Sequence, residues 1–485
     1  MNPLKSLNYS FLFRIFFLNL FLLAWMEALS SDPARIRQAY SEFKRLPQLE
    51  NASIAFTVLD ASNGDILVSE NGQVGMATAS TLKNITAASA LEILGPDFRF
   101  STTLVSRGEI DAQGVLHGDL VVVGSGDPAL GSDRYETTKE ALILNAWVQA
   151  VQSAGIRKIA GKIIADDLLW GGYRAPDAWP WADMGHYYGA GFSSLNWREN
   201  AFGVVFQPGN KVSDPTEIAS TTADLSYLDI RNEVVTGARG SGDQVYAYAA
   251  PYSTHVFFRG SHGIDLKKTI RMSIPDPAYD LAYQLNKALE KVNITADEGI
   301  HTAYMSGLSE SLQDVASKKT EQILHVHQSP TLAELVYWFN QVSINLYGES
   351  LLKALSQEWG EGLSTGSAAR KVAEYWSEKL GIPIGALRIV DGSGLSPNNR
   401  VTTDAMVRIL DVIQHEAWFP DFYESIPTNN GMKLKSGTIS GVLGYAGYHT
   451  AADGKKYVVS LLVSNYQGGA AAMRRQMFRL LDVLK

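Results

Sequence analysis

The chain has 485 residues, 46% hydrophobic and 19% charged, with a formal net charge of −8 and no cysteine. That length exceeds one compact domain and that apolar content excludes a disordered chain, so two or three domains are expected. The acidic balance provides no basic field for phosphates and excludes a nucleic-acid partner, while the missing thiols exclude disulfides, a lipidated cysteine, thiol catalysis and Cys-ligated zinc.

Residues 1–30 read as an export signal, with cleavage near residue 30. Lys5 and Arg14 precede an apolar run over 15–26, and Ala28-Leu29-Ser30 offers small residues for cleavage. The run is short for a bilayer span. The implied location is the periplasm, with retention as a membrane anchor as the alternative.

The pattern over 33–46 predicts a helix. Residues 54–60 then predict a strand that turns at Asn63-Gly64-Asp65 and returns over 66–69 as a hairpin. Residues 80–94, rich in Ala, Leu and Ile, predict a largely buried helix that stops at Gly95-Pro96. From 103 to 320 the texture changes to short strands and Gly/Asp/Ser/Pro turns. Helical patterns return over 331–339 and 343–357. Three strands and a closing helix over 470–484 end the chain. The sum is a mixed α/β core, residues 31–102 and 321–485, interrupted by a β-rich insertion of one or two domains, residues 103–320. The closing helix aligns Met473, Met477, Leu481 and Leu484 on one face, with Arg474, Arg475 and Arg479 elsewhere. That face predicts sheet contact more strongly than peripheral membrane association.

Three motifs carry chemistry. Ser80-Thr81-Leu82-Lys83 opens the buried helix, where residues three apart share a face, so a desolvated Lys83 amine can take the Ser80 proton. Ser41-Glu42-Phe43-Lys44 has the same spelling, but its charged helix leaves that lysine solvated. Ser343-Ile344-Asn345 offers a hydroxyl relay and an amide that can bind a substrate carbonyl or hold Lys83; Ser194-Leu195-Asn196 and Ser396-Pro397-Asn398 match by spelling alone. Lys435-Ser436-Gly437-Thr438 reads as a strand. There Lys435 attracts a carboxylate, Gly437 permits close backbone approach, and the N–H groups of Ser80 and Thr438 can stabilise an oxyanion. His325-Val326-His327 supplies only two imidazoles and predicts a solvated strand face rather than a metal site. No cofactor or metal is implied.

In this order the motifs form the signature set of penicillin-binding proteins and serine β-lactamases. Four longer strings add to them: Leu94-Gly95-Pro96-Asp97-Phe98-Arg99-Phe100, Gly124-Ser125-Gly126-Asp127-Pro128, Tyr187-Tyr188-Gly189-Ala190 and Asp391-Gly392-Ser393-Gly394-Leu395-Ser396. With them the mature chain resembles the class C low-molecular-mass penicillin-binding proteins, the DacB-type D-alanyl-D-alanine carboxypeptidase/endopeptidases. The resemblance implies a transpeptidase-like core with helices packed on an antiparallel sheet and an insertion between the first two motifs. It further implies peptidoglycan stem peptides as substrate and β-lactams as covalent inhibitors. Residue by residue, it implies Ser80 as acylated nucleophile, Lys83 as general base and Ser343 as relay. It also implies Asn345, Lys435, Ser436, Gly437 and Thr438 as substrate contacts. Two departures stand out: Ser436 where Thr is commoner, and Thr78-Ala79 where Pro-Ala is frequent. The alternatives are a serine β-lactamase, against which no Glu-x-x-Leu-Asn loop occurs between 345 and 435, and a non-catalytic wall-binding protein on the same fold.

Overall fold

The computed structural model describes residues 32–172, 174–308, 321–360 and 364–485. The export signal at 1–30 lies outside the described residues. Helix α1 (Asp32–Lys44) leads into the hairpin β1 (Ser53–Asp60) and β2 (Asp65–Glu70). A 3₁₀ turn, Ala79–Leu82, then feeds α2 (Lys83–Leu94). The α-helix therefore begins at Lys83, three residues later than the sequence predicts. Ala79, at φ 44°, turns the chain too sharply for an α-helical entry.

The insertion starts on β3 (Ser101–Ile110) and β4 (Val115–Val123), followed by α3 (Glu140–Ser153) and β5 (Ile163–Asp166). Residues 201–273 build two smaller sheets around Phe202, Val204, Phe206, Phe258 and Met272. Next come α4 (Pro277–Glu290) and β6 (Glu321–Gln328), which pairs antiparallel with β3. The insertion carries two helices among its strands. Helices α3 and α4 cover its largest sheet, packing Trp147, Val151, Leu281 and Leu285 onto Leu104, Leu120 and Val122. Position 103 falls inside that sheet's pairing, because β3 begins at Ser101 and its partner β6 runs from Glu321 to Gln328.

The chain then re-enters the first layer through α5 (Leu332–Gln341), α6 (Asn345–Glu358), α7 (Thr365–Leu380) and α8 (Thr403–Ile413). The last two are helices that the sequence reading did not anticipate. Strands β7 (Met432–Ile439), β8 (Val442–Thr450) and β9 (Lys456–Ser464) follow, and α9 (Ala470–Leu481) ends the fold. The central antiparallel sheet runs in the order 428–429, β7, β8, β9, β1, β2, so first and last strands meet side by side. One face of the sheet carries α1 and α9 through Ile36, Tyr40, Met473 and Met477. The other carries α2, α5, α6, α7 and α8 through Leu91, Phe339, Leu355, Trp376 and Ile409. The apolar stripe of α9 is therefore a core contact, and among the described residues no helix is long and apolar enough to cross a membrane.

Candidate active site

The site forms where α2 meets the free edge of β7. The two-residue strand at 428–429 pairs only with Lys433 and Met432, so Lys435–Thr438 line the sheet margin. Gly437 is required there: a Cβ on it would stand 3.0 Å from Ser80 N and 2.7 Å from Thr78 O. The strand thus lies directly against the turn that carries Ser80.

Ser80 is half-buried and reachable, while Lys83 is fully buried. The Lys83 Nζ has three partners: Asn345 Oδ1 at 2.6 Å, the Ser393 carbonyl at 2.7 Å and Ser80 Oγ at 2.9 Å. Burial, reinforced by the Lys435 charge and opposed by Asp391 and Glu349, holds this amine well below the ordinary lysine range. A neutral amine has two N–H bonds and one lone pair. The amide and carbonyl oxygens can only accept, so they take the two N–H bonds, and the lone pair is left facing the one partner able to donate, the Ser80 hydroxyl. An amine so placed can take the proton of that hydroxyl.

Ser343 sits at φ 61° between α5 and α6, a left-handed conformation that costs a non-glycine residue on the order of 1 kcal/mol. Its hydroxyl accepts from Lys435 Nζ at 3.1 Å, and Lys435 also donates to the Ser436 carbonyl at 3.0 Å. Burial lowers Lys435 to about 7. The structure therefore brings together all three motifs as a trio, Ser80–Lys83–Asn345, and a pair, Ser343–Lys435. Ser436 is half-buried and Thr438 exposed at the mouth.

Two carboxylates that sequence reasoning missed hold the floor. Glu349, one helical turn after Asn345, accepts the N–H groups of Gly392 at 3.1 Å and Ser393 at 3.0 Å. Those bonds present the Ser393 carbonyl to Lys83. Asp391 accepts from Gly394 N at 2.8 Å, Ser396 N at 2.6 Å, Asn399 Nδ2 at 2.9 Å and Trp179 Nε1 at 3.0 Å. Burial raises both, Glu349 to about 8, and the neighbouring Asp391 charge raises Glu349 further. The available signal was an acidic residue four positions beyond Asn345 on an otherwise buried helix face.

The insertion reaches the site as well. The Tyr188 carbonyl accepts from Asn345 Nδ2 at 2.7 Å. A cavity of about 460 Å³ lies between Tyr187, Tyr246, Lys268 and Arg271 on one side and Ser343 and Asn345 on the other. Its rear wall is Glu199, which accepts from Arg134, Arg271, Ser132 and the Tyr347 hydroxyl of α6.

The look-alike motifs are structural. Lys44 is solvent-exposed on α1; Asn196 holds the carbonyls of Gly126 and Asp127; Ser396 caps the Asp391 loop. His325 and His327 are half-buried on β6, and among the described residues no group of three or more His, Cys, Asp or Glu side chains is placed to hold a metal ion.

A family model described as the D-Ala-D-Ala carboxypeptidase 3 (S13) family matches residues 37–484. The chain is 28% identical to the D-alanyl-D-alanine carboxypeptidase of Actinomadura sp. (strain R39) over 459 residues, 89% of this chain and 81% of the other. The crystal structure of penicillin binding protein 4 (dacB) from Haemophilus influenzae superposes with a TM-score of 0.76 at 21% identity, covering 91% of this chain and 98% of that one. The same protein complexed with a novel β-lactam gives a TM-score of 0.71 at 20% identity, covering 92% and 99%. These structures share its fold.

Proposed function

The chain belongs to the D-Ala-D-Ala carboxypeptidase 3 (S13) family, of serine-type carboxypeptidases, and from that premise we propose that Ser80 is the residue acylated, with Lys83 as its base. The observation that carries this reading is the 2.9 Å contact between Ser80 Oγ and a buried Lys83 amine whose other two partners are pure acceptors. Lys83 takes the hydroxyl proton as Oγ attacks the penultimate D-Ala carbonyl. The oxyanion forms against the N–H groups of Ser80 and Thr438. The C–N bond breaks, the proton held by Lys83 passes by way of Ser343 to the leaving amine, Lys83 is neutral again, and D-Ala departs. Water then attacks the ester, Lys83 again takes the proton, and Ser80 is restored. Asn345 holds Lys83 and, once Tyr188 yields its Nδ2, the substrate amide. Ser436 and Thr438 face the carboxylate. Where the leaving amine belongs to a cross-linked neighbouring peptide, the same steps amount to endopeptidase action on peptidoglycan.

A β-lactam mimics the same scissile amide and keeps its leaving group tethered, so penicillin traps the ester. The β-lactam held by the Haemophilus relative supports this extension. Residues 101–328, with their separate hydrophobic cores, are read as the inserted domains, and residues 1–30 as a cleaved signal that exports the enzyme to the periplasm.

Incubation with benzylpenicillin followed by intact-mass and peptide mapping tests the assignment. One adduct of the intact antibiotic mass on Ser80 is expected; an adduct on Ser41, or rapid turnover with no adduct, would overturn it.

A further inference from the structure

The expected role of Lys435 as the cation that captures the substrate carboxylate fits its surroundings poorly. It is 1% exposed, it points into the pit at Ser343, and burial pulls its charge down toward neutrality near pH 7. Some other group must supply a lasting positive charge at the mouth.

We propose that Arg474 binds the C-terminal carboxylate of the D-Ala-D-Ala substrate together with Thr438. This rests on the reading of Ser80 above and adds to it a residue for carboxylate recognition. The placement follows from the fold. Helix α9 lays Met473 and Met477 on the sheet, and that docking fixes the intervening turn so that Arg474 projects over the open end of β7. Its Nη2 lies 3.1 Å from Thr438 Oγ1, a contact between residues 36 apart in sequence. A guanidinium has five N–H bonds in a planar fork suited to a carboxylate, and Thr438 engages one Nη. Among the described residues no Asp or Glu carboxylate stands within ion-pair distance of it. Arginine also keeps its charge at any pH the enzyme meets.

The distances suit the substrate. Gly437 lies against Ser80 N, which puts the scissile carbonyl at that level of the strand. The terminal carboxylate is one residue further along, about 3.8 Å in backbone reach, and Thr438 is the next strand residue outward. An acceptor hydroxyl, an exposed guanidinium and the strand margin therefore converge where a D-Ala carboxylate must end. Arg475, equally exposed, is turned about 100° around the helix and serves as the control.

The test compares an N-acyl-D-Ala-D-Ala peptide with its C-terminal carboxamide, in wild type and in Arg474→Ala, Arg474→Lys and Arg475→Ala. Arg474→Ala should lower kcat/KM for the free acid about 10- to 100-fold while changing the amide by less than about threefold. Arg474→Lys should recover part of the loss, and the wild-type preference for the acid should shrink in high salt, as an exposed charge requires. Arg475→Ala should leave the ratio unchanged. An acid-to-amide ratio that is the same in Arg474→Ala as in wild type would overturn the proposal, whether both rates fall together or neither falls. Trapped acyl-enzyme, mapped in parallel, keeps the two readings apart: acyl transfer without label on Ser80 would refute the nucleophile, while the ratio would still judge Arg474.

Discussion

The pit around Lys83 and the groove walled by Tyr187, Tyr246, Lys268 and Arg271 share one opening but are built on opposite terms. In the pit Lys83, Asn345 and Lys435 are buried, and donors and acceptors meet at 2.6 to 3.1 Å. In the groove Tyr187 is 49% and Tyr246 46% exposed, and the charges of Arg271 and Lys268 face solvent. A largely buried, hydrogen-bonded site fixes protonation states and geometry; an exposed, aromatic and charged one offers adaptable contact to a long ligand. The contrast implies that chemistry and choice of substrate can be damaged separately.

The largest effect should come from the pit. Lys83→Ala removes the base and should slow acylation by penicillin and by peptide alike, by about 10²- to 10⁴-fold, with little change in fold. Lys44→Ala should do nothing. Time-resolved intact mass measures both, and equal losses in the two variants would break the distinction drawn between the two Ser-x-x-Lys sequences.

Glu349→Ala should be next. It leaves the N–H groups of Gly392 and Ser393 buried without their acceptor, at about 1–3 kcal/mol each. With the loop released, the Ser393 carbonyl no longer fixes an N–H of Lys83, and acylation should fall about 10- to 100-fold for every substrate. Glu349→Gln, which retains an acceptor, should recover part of it. A thermal midpoint and an acylation rate measured together give the answer; lost stability with an unaltered rate would show that the loop does not position Lys83.

Groove substitutions should be smaller and selective. Arg271→Ala and Tyr187→Ala remove contact area remote from the reacting bond. Cleavage of a cross-linked muropeptide dimer should fall about tenfold while penicillin acylation stays within about threefold. Parallel losses on both would mean that the insertion serves the chemistry itself, by way of the Tyr188 carbonyl on Asn345.

The same contrast sets what was legible in the sequence. Ser80-x-x-Lys83, Ser343-x-Asn345 and Lys435-Ser436-Gly437 were readable because each motif is short and its chemistry needs fixed residue types at fixed spacing. Their meeting, across 262 positions for Lys83 and Asn345, could be inferred only from their order. The partners supplied by main chain were not readable, since a carbonyl such as that of Ser393 leaves no mark in residue identity. Nor was the role of Arg474, whose meaning depends on a helix docking beside a strand 36 residues earlier. Helices α3 and α4 were missed although Ile143, Trp147 and Val151, and Leu281, Leu285 and Leu289, keep helical spacing, because the surrounding turns dominated the texture. The start of α2 at Lys83 was hidden for another reason: the left-handed Ala79 is imposed by packing, with the Gly394 loop pressed against the Ala79 carbonyl.

The last predicted effect is on stability against pH, and it belongs to the pit alone. Lys435 is lowered by burial to about 7 in the folded protein, against about 10.4 for an unfolded lysine. Between those values the unfolded chain carries a proton on Lys435 that the folded protein does not, so the unfolded state binds more protons and the contribution to stability rises with pH. Below pH 7 both states are charged, and the full cost of burying that charge is present. Glu349, raised to about 8, acts oppositely: from about 4.3 to 8 the folded state holds the extra proton, and stability falls as pH rises. A single melting curve would mix the two. The difference between wild type and Lys435→Met isolates the lysine, since the Glu349 contribution largely cancels. That difference should favour the methionine variant most below pH 7 and shrink steadily toward pH 10. Arg271→Ala in the groove should show no such trend. A wild-type minus Lys435→Met difference that stays flat from pH 6 to 10 would mean that Lys435 keeps its ordinary proton affinity, and it would return to that residue the carboxylate-capturing charge assigned here to Arg474.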